Sequence, residues 1–424
     1  MANTLNKMAR KRKRKKLEAE KAKQAKEQRR MQGNDVYYEQ REQRAPQKKT
    51  AKRKKKSAVK KKLVTAVILV GAVAAALFYV EKRSYKNYRV VQTSQQEDVV
   101  STGYMEMDGD ILRYSSDSVS LVSKNLETLW SDACEMQNPV ADVKGSRAVV
   151  ADKDGTTIEM FDKSGKTGTA TTSYAIVKVR VSNSGLVAAI LDGGEDTWIN
   201  FYSSDGSLIA ENQTRVDDPG YPLDVAVSED GVIMMVTYQF VDGSDTTSYV
   251  AFYNFGDVGQ NEEDRIVSGY KYEGVVVPQI QYLKDAESVA VRDDGFTLYQ
   301  GSQIPKEIKT VKVEQEIVSS FYNDDMIGLV FKNEGEDKLY TMQVYNTSDG
   351  SLKFEKSFNI QYTTVKLSGE NILMYNSSQI CVINNRGVQK YMGSIDGTIK
   401  DFFKIGWNRY LLVLDNGINV IKFS

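Results

Sequence analysis

The sequence predicts an all-β fold for most of the chain, an eight-bladed β-propeller preceded by one transmembrane helix and a basic arm. Three observations support this prediction: a sharp division of charge, Asp-Gly turns between short apolar runs, and a repeat of about 43 residues. The 424 residues include 57 Lys or Arg, 56 Asp or Glu and no His. Residues 1–62 hold 25 basic residues and six acids, a net charge of +19, which leaves 32 basic and 50 acidic residues, or −18, for the rest. The two parts of the chain therefore belong to different surroundings.

Residues 1–62 form the predicted cytoplasmic arm. Residues 7–32 are rich in helix formers but lack an apolar stripe, which predicts a solvated helix, and disorder is predicted for 33–57. Basic residues near a bilayer attract anionic lipid head groups by about 1 kcal/mol each. The residues expected to do so are Lys52, Arg53, Lys54, Lys55, Lys56, Lys60, Lys61 and Lys62. Nucleic acid is not expected as a partner, since no folded RNA-binding motif accompanies the basic residues, although contact through Arg10–Lys16 stays a weaker alternative.

Residues 63–80 are an uncharged run of 18 residues, which as a helix covers roughly 27 Å, close to the thickness of a bilayer core. The lysines before it predict a cytoplasmic N-terminus and an external C-terminal part, in a single-pass protein of the cell membrane. Aromatic residues expected at the far interface are Phe78, Tyr79, Tyr85 and Tyr88. A cleaved signal peptide is the alternative, but the long basic region and the absence of a small-x-small cleavage site argue against it.

After a short linker at residues 81–87, residues 88–424 form the predicted extracytoplasmic propeller. Asp-Gly, the strongest short-range hairpin signal, occurs nine times, with its Asp at 108, 154, 192, 205, 230, 242, 294, 349 and 396. Apolar and polar residues alternate as in a half-buried strand, with Val177, Val179 and Val181 on one face. These patterns predict antiparallel strands throughout.

A strand, a polar turn and a second strand recur along this region. The recurring unit is marked by Leu121, Phe161, Tyr202, Tyr253, Tyr299, Tyr345, Ile383 and Ile421. The mean interval of about 43 residues is that of a four-stranded propeller blade, and the longest interval, 51 residues, leads to Tyr253. Because the last unit ends after three strands, we expect Tyr88–Gln95 to supply its outer strand and close the ring. Seven blades, or a β-sandwich pair, are the alternatives.

The turn phrases and the layout resemble known proteins. Tyr-Ser-Ser-Asp-Gly-Ser-Leu at 202–208 and Tyr-Asn-Thr-Ser-Asp-Gly-Ser-Leu at 345–352 resemble turns of quinoprotein-type and WD-repeat-like propellers. More narrowly, the basic arm, single apolar run and propeller resemble an uncharacterised family of single-pass membrane proteins from Gram-positive bacteria. That resemblance implies an extracellular propeller of unknown function and supplies no catalytic residue.

The composition excludes several chemistries. Without His there is no Ser-His-Asp or Cys-His triad and no imidazole metal ligand. Cys134 and Cys381 lie in separate repeats, which predicts two free thiols. The stretches 152–155 and 293–295 contain Asp next to Gly but do not continue into a calcium-binding loop, so hairpin turns are the preferred interpretation. We expect no metal and no cofactor.

The remaining candidates also favour binding over catalysis. Acidic pairs at 217–218, 262–263 and 324–325 fall in predicted loops, where solvated charge is the preferred interpretation. Trp130, Trp198 and Trp407 fall in predicted strands, so we expect them to pack between blades, with a ligand platform as the alternative. The sequence thus predicts a membrane-anchored binding or scaffold module of the cell envelope, not an enzyme, whose partner is a protein, peptide or glycan. A transmembrane sensor is the first alternative, and a hydrolase with paired carboxylates is the second.

Overall fold

A computed structural model gives the fold. It describes residues 2–31, 66–71, 82–95, 102–194, 196–215, 219–284, 286–335 and 337–424. The chain divides into two compact units, Met1–Glu81 and Lys82–Ser424.

In the first unit, the helix α1 covers Ala2–Met31, where the sequence predicted a helix over residues 7–32. Its described side chains, residues 14–28, are exposed, as expected of a helix without an apolar stripe. Residues 66–71 are also helical. Among the described residues, no helix is long and apolar enough to cross a membrane. Most of the apolar run at 63–80 lies outside the described residues, so its role as a membrane anchor stays a prediction.

The second unit is a propeller of eight four-stranded antiparallel sheets. The strand that opens it is β1 (Tyr88–Ser94). Blade 1 consists of β2 (Gly103–Met107), β3 (Asp110–Tyr114), β4 (Ser118–Val122) and β5 (Thr128–Ala133). Blade 2 consists of β6 (Pro139–Lys144), β7 (Arg147–Asp152), β8 (Thr157–Asp162) and β9 (Gly165–Thr171). Blade 3 consists of β10 (Ala175–Val181), β11 (Val187–Asp192), β12 (Asp196–Tyr202) and β13 (Leu208–Arg215). Blade 4 consists of β14 (Tyr221–Val227), β15 (Ile233–Asp242), β16 (Asp245–Asn254) and β17 (Ile266–Glu273).

The other four blades follow in chain order. Blade 5 consists of β18 (Gln279–Tyr282), β19 (Glu287–Arg292), β20 (Gly295–Gln300) and β21 (Lys306–Lys312). Blade 6 consists of β22 (Ile317–Tyr322), β23 (Met326–Lys332), β24 (Tyr340–Asn346) and β25 (Leu352–Phe358). Blade 7 consists of β26 (Thr364–Ser368), β27 (Asn371–Tyr375), β28 (Gln379–Asn384) and β29 (Gln389–Ser394). Blade 8 consists of β30 (Ile399–Gly406), β31 (Arg409–Leu414), β32 (Gly417–Phe423) and β1.

Blade 8 joins the two ends of the propeller. Strand β1 pairs antiparallel with β32, and Tyr88 lies opposite Phe423 while Ser94 lies opposite Ile418. The predicted eight blades and the predicted closure by the N-terminal strand are both confirmed. Closure covers the outer edge of β32, which would otherwise be free to pair with another chain.

The repeat seen in the sequence corresponds to a fixed place in every blade. Each of the eight marker residues lies in the third strand of its blade, near the end of that strand. Turns with Asp-Gly join strands as predicted; in the β2–β3 turn, Asp108 and Gly109 both have positive φ values, 47° and 81°, which suit a tight two-residue hairpin.

The hydrophobic core is divided among the interfaces between adjacent blades. Eight clusters of buried side chains fill these interfaces, one cluster for each neighbouring pair of blades. The first strands of the blades contact one another around the centre, while the fourth strands carry mostly exposed side chains. The first strand of each blade is therefore the innermost one, and each blade depends on both of its neighbours for burial.

Candidate functional site

Charged side chains of the innermost strands meet at the centre of the ring, which we call the hub. The carboxylate of Asp224 is fully buried and lies 3.0 Å from Lys178 Nζ and 3.2 Å from Arg180 Nη2. It also accepts hydrogen bonds of 3.0 Å from the backbone amides of Val225 and Ile280. A buried carboxylate costs much free energy unless it is paired, and here two cations and two amide donors pair with it. Asp224 thereby joins blades 3, 4 and 5.

Two more contacts extend the hub towards blades 2 and 6. Asp142 accepts a 2.8 Å hydrogen bond from the backbone amide of Val181 and lies 3.6 Å from Arg180 Nη1. Burial alone would lower the pKa of Arg180, but the charges of Asp142 and Asp224 outweigh it and raise that pKa. Lys144 Nζ lies 3.0 Å from Asp324, which links blade 2 with the opposite blade of the ring.

Blades 7, 8 and 1 are joined in a similar way. Lys366 pairs with Asp401 of blade 8, and its Nζ lies 3.6 Å from the centre of the Phe403 ring. Burial lowers the pKa of Lys366 despite the neighbouring Asp401 charge. Ser368 Oγ donates a 2.7 Å hydrogen bond to Glu106 of blade 1. Since the hub carboxylates are engaged by cations or hydrogen-bond donors, we interpret the hub as a structural element that holds the blades in register.

The acidic turns proposed from the sequence also have partners. Asp152 accepts hydrogen bonds of 2.9 and 2.7 Å from the backbone amides of Gln137 and Asn138. Both carboxylate oxygens of Asp294 accept hydrogen bonds of 2.7 Å from Arg292. No group of three or more His, Cys, Asp or Glu side chains arranged for a metal ion occurs in the described part of the chain.

The acidic pairs, tryptophans and cysteines are dispersed. Glu262 and Glu263 are exposed beside a 3-10 turn, Asp324 and Asp325 each pair with a lysine, and residues 217–218 lie outside the described residues.

The three tryptophans occupy different blades: Trp130 stacks on Phe161, Trp198 stacks on Tyr174, and Trp407 is 76% exposed in the β30–β31 turn. They form no common platform, and the prediction of blade packing is wrong for Trp407, whose side chain is exposed in a turn. Both cysteines are free thiols, as predicted, and burial raises the pKa of Cys134 to about 11 and that of Cys381 to about 12.

Blade 4 departs from the regular repeat in two places. Strands β15 and β16 have ten residues each, whereas the other described strands have four to eight. The connection from β16 to β17 contains two 3-10 turns, Gly259–Asn261 and Glu263–Arg265. Within it Asp264 and Arg265 have positive φ values of 52° and 62°, a strained conformation for residues other than glycine. The long hairpin lies within the 51-residue interval from Tyr202 to Tyr253, whereas the 3-10 insertion follows Tyr253 and lies in the next interval, of 46 residues.

Both departures contribute side chains to one groove between blades 3 and 4, which we call the blade 4 groove. Its volume is about 560 Å³. Blade 3 and Pro219 supply one wall, the long hairpin supplies the second, and the 3-10 insertion with β17 supplies one end. The lining residues are Asn212, Gln213, Thr214, Pro219, Phe240, Thr247, Tyr249, Tyr253, Asp264, Ile266 and Lys271.

Tyrosines form the aromatic part of this groove. The hydroxyls of Tyr253 and Tyr238 are hydrogen-bonded at 2.7 Å, and the rings of Tyr238 and Tyr249 stack with centroids 6.5 Å apart. Burial raises the pKa of Tyr253 to about 12 and also raises the pKa of Tyr249. Both phenols are therefore neutral at physiological pH; the hydroxyl of the buried Tyr253 is bonded to Tyr238, whereas Tyr249 is only partly buried.

The site residues predicted from the sequence do not line this groove. The eight membrane-proximal basic residues, and Phe78 and Tyr79, lie outside the described residues. Tyr85 packs against the cluster between blades 7 and 8, where its backbone amide donates a 2.7 Å hydrogen bond to the Lys390 carbonyl. The Tyr88 ring makes an edge contact with Tyr391, 6.4 Å between centroids. These contacts explain how the start of the propeller is anchored, and the interfacial role of both tyrosines stays a prediction.

The fold and the site define a class of protein, an eight-bladed propeller with a paired-charge hub and a lateral groove beside one enlarged blade. The chain belongs to the family of unknown function DUF5711, whose match covers residues 81–423. The expected resemblance to an uncharacterised propeller family is confirmed in this coarser form, and the match begins after the apolar run. No curated protein matches the chain.

Solved propellers resemble the chain at low identity. BamB from Moraxella catarrhalis is 13% identical, with a TM-score of 0.49, and the likeness covers 80% of this chain and 100% of that one. Sqt1 from Saccharomyces cerevisiae is 10% identical, with a TM-score of 0.48 and coverage of 81% and 99%. The quinohemoprotein alcohol dehydrogenase ADHIIG from Pseudomonas putida HK5 is 9% identical, with a TM-score of 0.48 and coverage of 79% and 76%. Each likeness concerns the fold alone.

Proposed function

We propose that this protein is a binding module of the cell envelope, without catalytic activity, whose ligand occupies the blade 4 groove. The strongest support is that two irregular features of blade 4, the long β15–β16 hairpin and the 3-10 insertion, both line the same groove. An extended hairpin and a strained insertion both cost stability unless another advantage offsets the cost. A preformed groove with aromatic rings and a few polar groups is the usual form of a binding site.

The position at the membrane is part of the same proposal. The 18 uncharged residues at 63–80 and the lysines before them support a single-pass anchor with the arm in the cytoplasm. The arm would then contact anionic lipid head groups through the residues from Lys52 to Lys62. The propeller would extend from the outer face, where it meets proteins, peptides and glycans of the envelope.

Three features support binding in place of catalysis. The chain contains no His. The hub carboxylates Asp142 and Asp224 are engaged by cations and backbone amides, so their oxygens already have partners within the protein. The raised pKa values of both cysteines keep their thiols protonated, which makes them poor nucleophiles.

Site-specific photocrosslinking in living cells tests this proposal. The full chain would carry p-benzoylphenylalanine in place of Tyr249, which is half-exposed in the groove. The matched control carries it in place of Tyr174, a tyrosine 36% exposed that stacks on Trp198 outside the groove. We expect an ultraviolet-dependent adduct at position 249 and none at position 174. No adduct at 249, or the same adduct at both positions, would show that the groove is not the binding site.

A further inference from the structure

The blade 4 groove combines aromatic rings with uncharged hydrogen-bonding side chains. Amides and hydroxyls of this kind both donate and accept, so they match ligands whose polar groups do the same. The side chains concerned are Asn212, Thr214 and Thr247. Gln213 also lines the groove, but its side chain points to the other face of β13, where its amide donates a 2.6 Å hydrogen bond to Asp196. The aromatic rings beside them are those of Phe240, Tyr249 and Tyr253.

Tyr249 is held in a fixed position. It lies opposite Tyr238 in the β15–β16 ladder and opposite Lys271 in the β16–β17 ladder. A Cβ atom at Gly269 would overlap the Tyr249 hydroxyl and ring, so the ring lies against the backbone of β17 where the glycine leaves room. The ring is half-exposed and therefore offers an ordered apolar surface to a ligand.

The charges of the groove argue against an anionic ligand. Among the described residues, the charged side chains that line it are those of Asp264 and Lys271, one of each sign, and both are exposed. Nucleic acids and other phosphate polymers are held by an excess of cations, which this lining does not provide. The groove chemistry thus favours a ligand without net charge.

The length of the groove argues for a chain of several units. Thr247 and Tyr253 both line it and lie six residues apart on β16, which corresponds to roughly 20 Å along the strand. A saccharide chain has apolar C–H faces on its rings and hydroxyls at their rims, the two features that aromatic planes and amide side chains complement.

We infer that the blade 4 groove binds a neutral saccharide chain, with a sugar ring stacked on Tyr249 and sugar hydroxyls bonded to the amide of Asn212. This inference rests on the proposed binding function and assigns its ligand class. Tyr249 acts here through its ring face, and its hydroxyl contributes less to the affinity.

Saturation-transfer NMR with the full chain in detergent micelles tests the inference. The probes are a panel of neutral oligomers of hexoses and of N-acetylhexosamines. We expect binding by the wild-type chain and an affinity at least about tenfold lower for Tyr249→Ala, because alanine removes the apolar ring face that the sugar covers. Tyr249→Phe keeps the ring face and should change the affinity by less than about threefold. Tyr174→Ala, outside the groove, should bind like the wild type. Thermal unfolding of each variant shows whether it is folded.

The outcomes separate this inference from the proposed function. Groove-dependent binding of a neutral oligomer supports both. No binding across the panel, together with a photoadduct at position 249, overturns the saccharide assignment and leaves the groove as a site for another ligand, such as a peptide. Affinity that is equal in wild type and Tyr249→Ala also overturns the assignment, and the absence of both binding and photoadduct overturns both proposals.

Discussion

At the scale of single residues, the acidic turn at 293–295 shows how a sequence motif acquires its role from one neighbour. Two aspartates before a glycine are compatible with a calcium loop or with a hairpin turn. In the structure Asp294 instead holds Arg292, whose side chain is 3% exposed and whose guanidinium carbon lies 4.7 Å from the centre of the Tyr272 ring. The carboxylate therefore neutralises a buried cation inside blade 5, and the neighbouring Asp293 is exposed.

We expect Asp294→Asn to lower the free energy of unfolding by about 2–4 kcal/mol at pH 7, because it leaves a buried guanidinium without its counter-charge. Burial alone would raise the pKa of Asp294, but the hydrogen bonds and charge of Arg292 outweigh it and lower the pKa. The stabilisation is therefore complete above the usual carboxyl pKa of about 4 and is lost as the pH falls through the lowered value. Urea unfolding of wild type and variant at pH 7 and at pH 3 measures the difference, which should shrink at the lower pH.

Asp293→Asn is the matched control for this change, since it removes a neighbouring exposed carboxylate from the same turn. It should alter the unfolding free energy by no more than about 0.5 kcal/mol. Equal losses in the two variants, or a loss at Asp294 that does not depend on pH, would contradict the assigned role of the ion pair.

At the scale of elements, the sequence predicts the strands of the blades but does not predict the groove. Strand alternation and turn residues are local, so the third strand of every blade and the closing role of β1 could be predicted from spacing alone. The groove depends on which side chains of β13 in blade 3 face the long hairpin of blade 4, and that juxtaposition is set by the curvature of the ring. The same holds for the pair of Lys144 and Asp324, which are 180 residues apart in the chain. The 51-residue interval before Tyr253 was the signal available for the groove, and it indicated irregularity without indicating chemistry.

Removal of β1 tests the closure of the ring. A chain of residues 96–424 lacks the strand and the rings of Tyr85 and Tyr88, whereas a chain of residues 82–424 keeps them and serves as the control. We expect the shorter chain to be less stable by on the order of 3 kcal/mol, mainly from lost burial of the two rings, and to self-associate through the uncovered edge of β32. Thermal unfolding and size-exclusion chromatography measure both effects. Equal unfolding temperatures and a monomeric shorter chain would mean that β1 is dispensable.

At the scale of the whole molecule, the near-neutral net charge is the sum of two oppositely charged parts of the chain. The arm carries +19 and the remainder −18, with the uncharged run between them. The two ends of the propeller pair with each other through β1 and β32, so its sheets are complete within one chain. Such a domain is suited to the proposed attachment to a membrane anchor. In the proposed topology, the negative charge of the propeller would disfavour contact with an anionic membrane surface and so leave the groove accessible to the proposed ligand.

The proposed topology predicts that, in intact bacterial cells, a reagent outside the membrane reaches the propeller but not the arm. With Cys134→Ser as background and Cys381 left in the core, a single cysteine is placed in the arm by Ser57→Cys, or in the exposed β15–β16 turn by Ser244→Cys. A membrane-impermeant maleimide should label Ser244→Cys in intact cells and Ser57→Cys only after the membrane is opened, because lysines before an apolar run are retained in the cytoplasm. The background chain should stay unlabelled. If both variants are labelled only after the membrane is opened, the propeller is not outside the cell and its groove cannot reach envelope ligands. If only Ser57→Cys is labelled in intact cells, the orientation is the reverse of the proposed one.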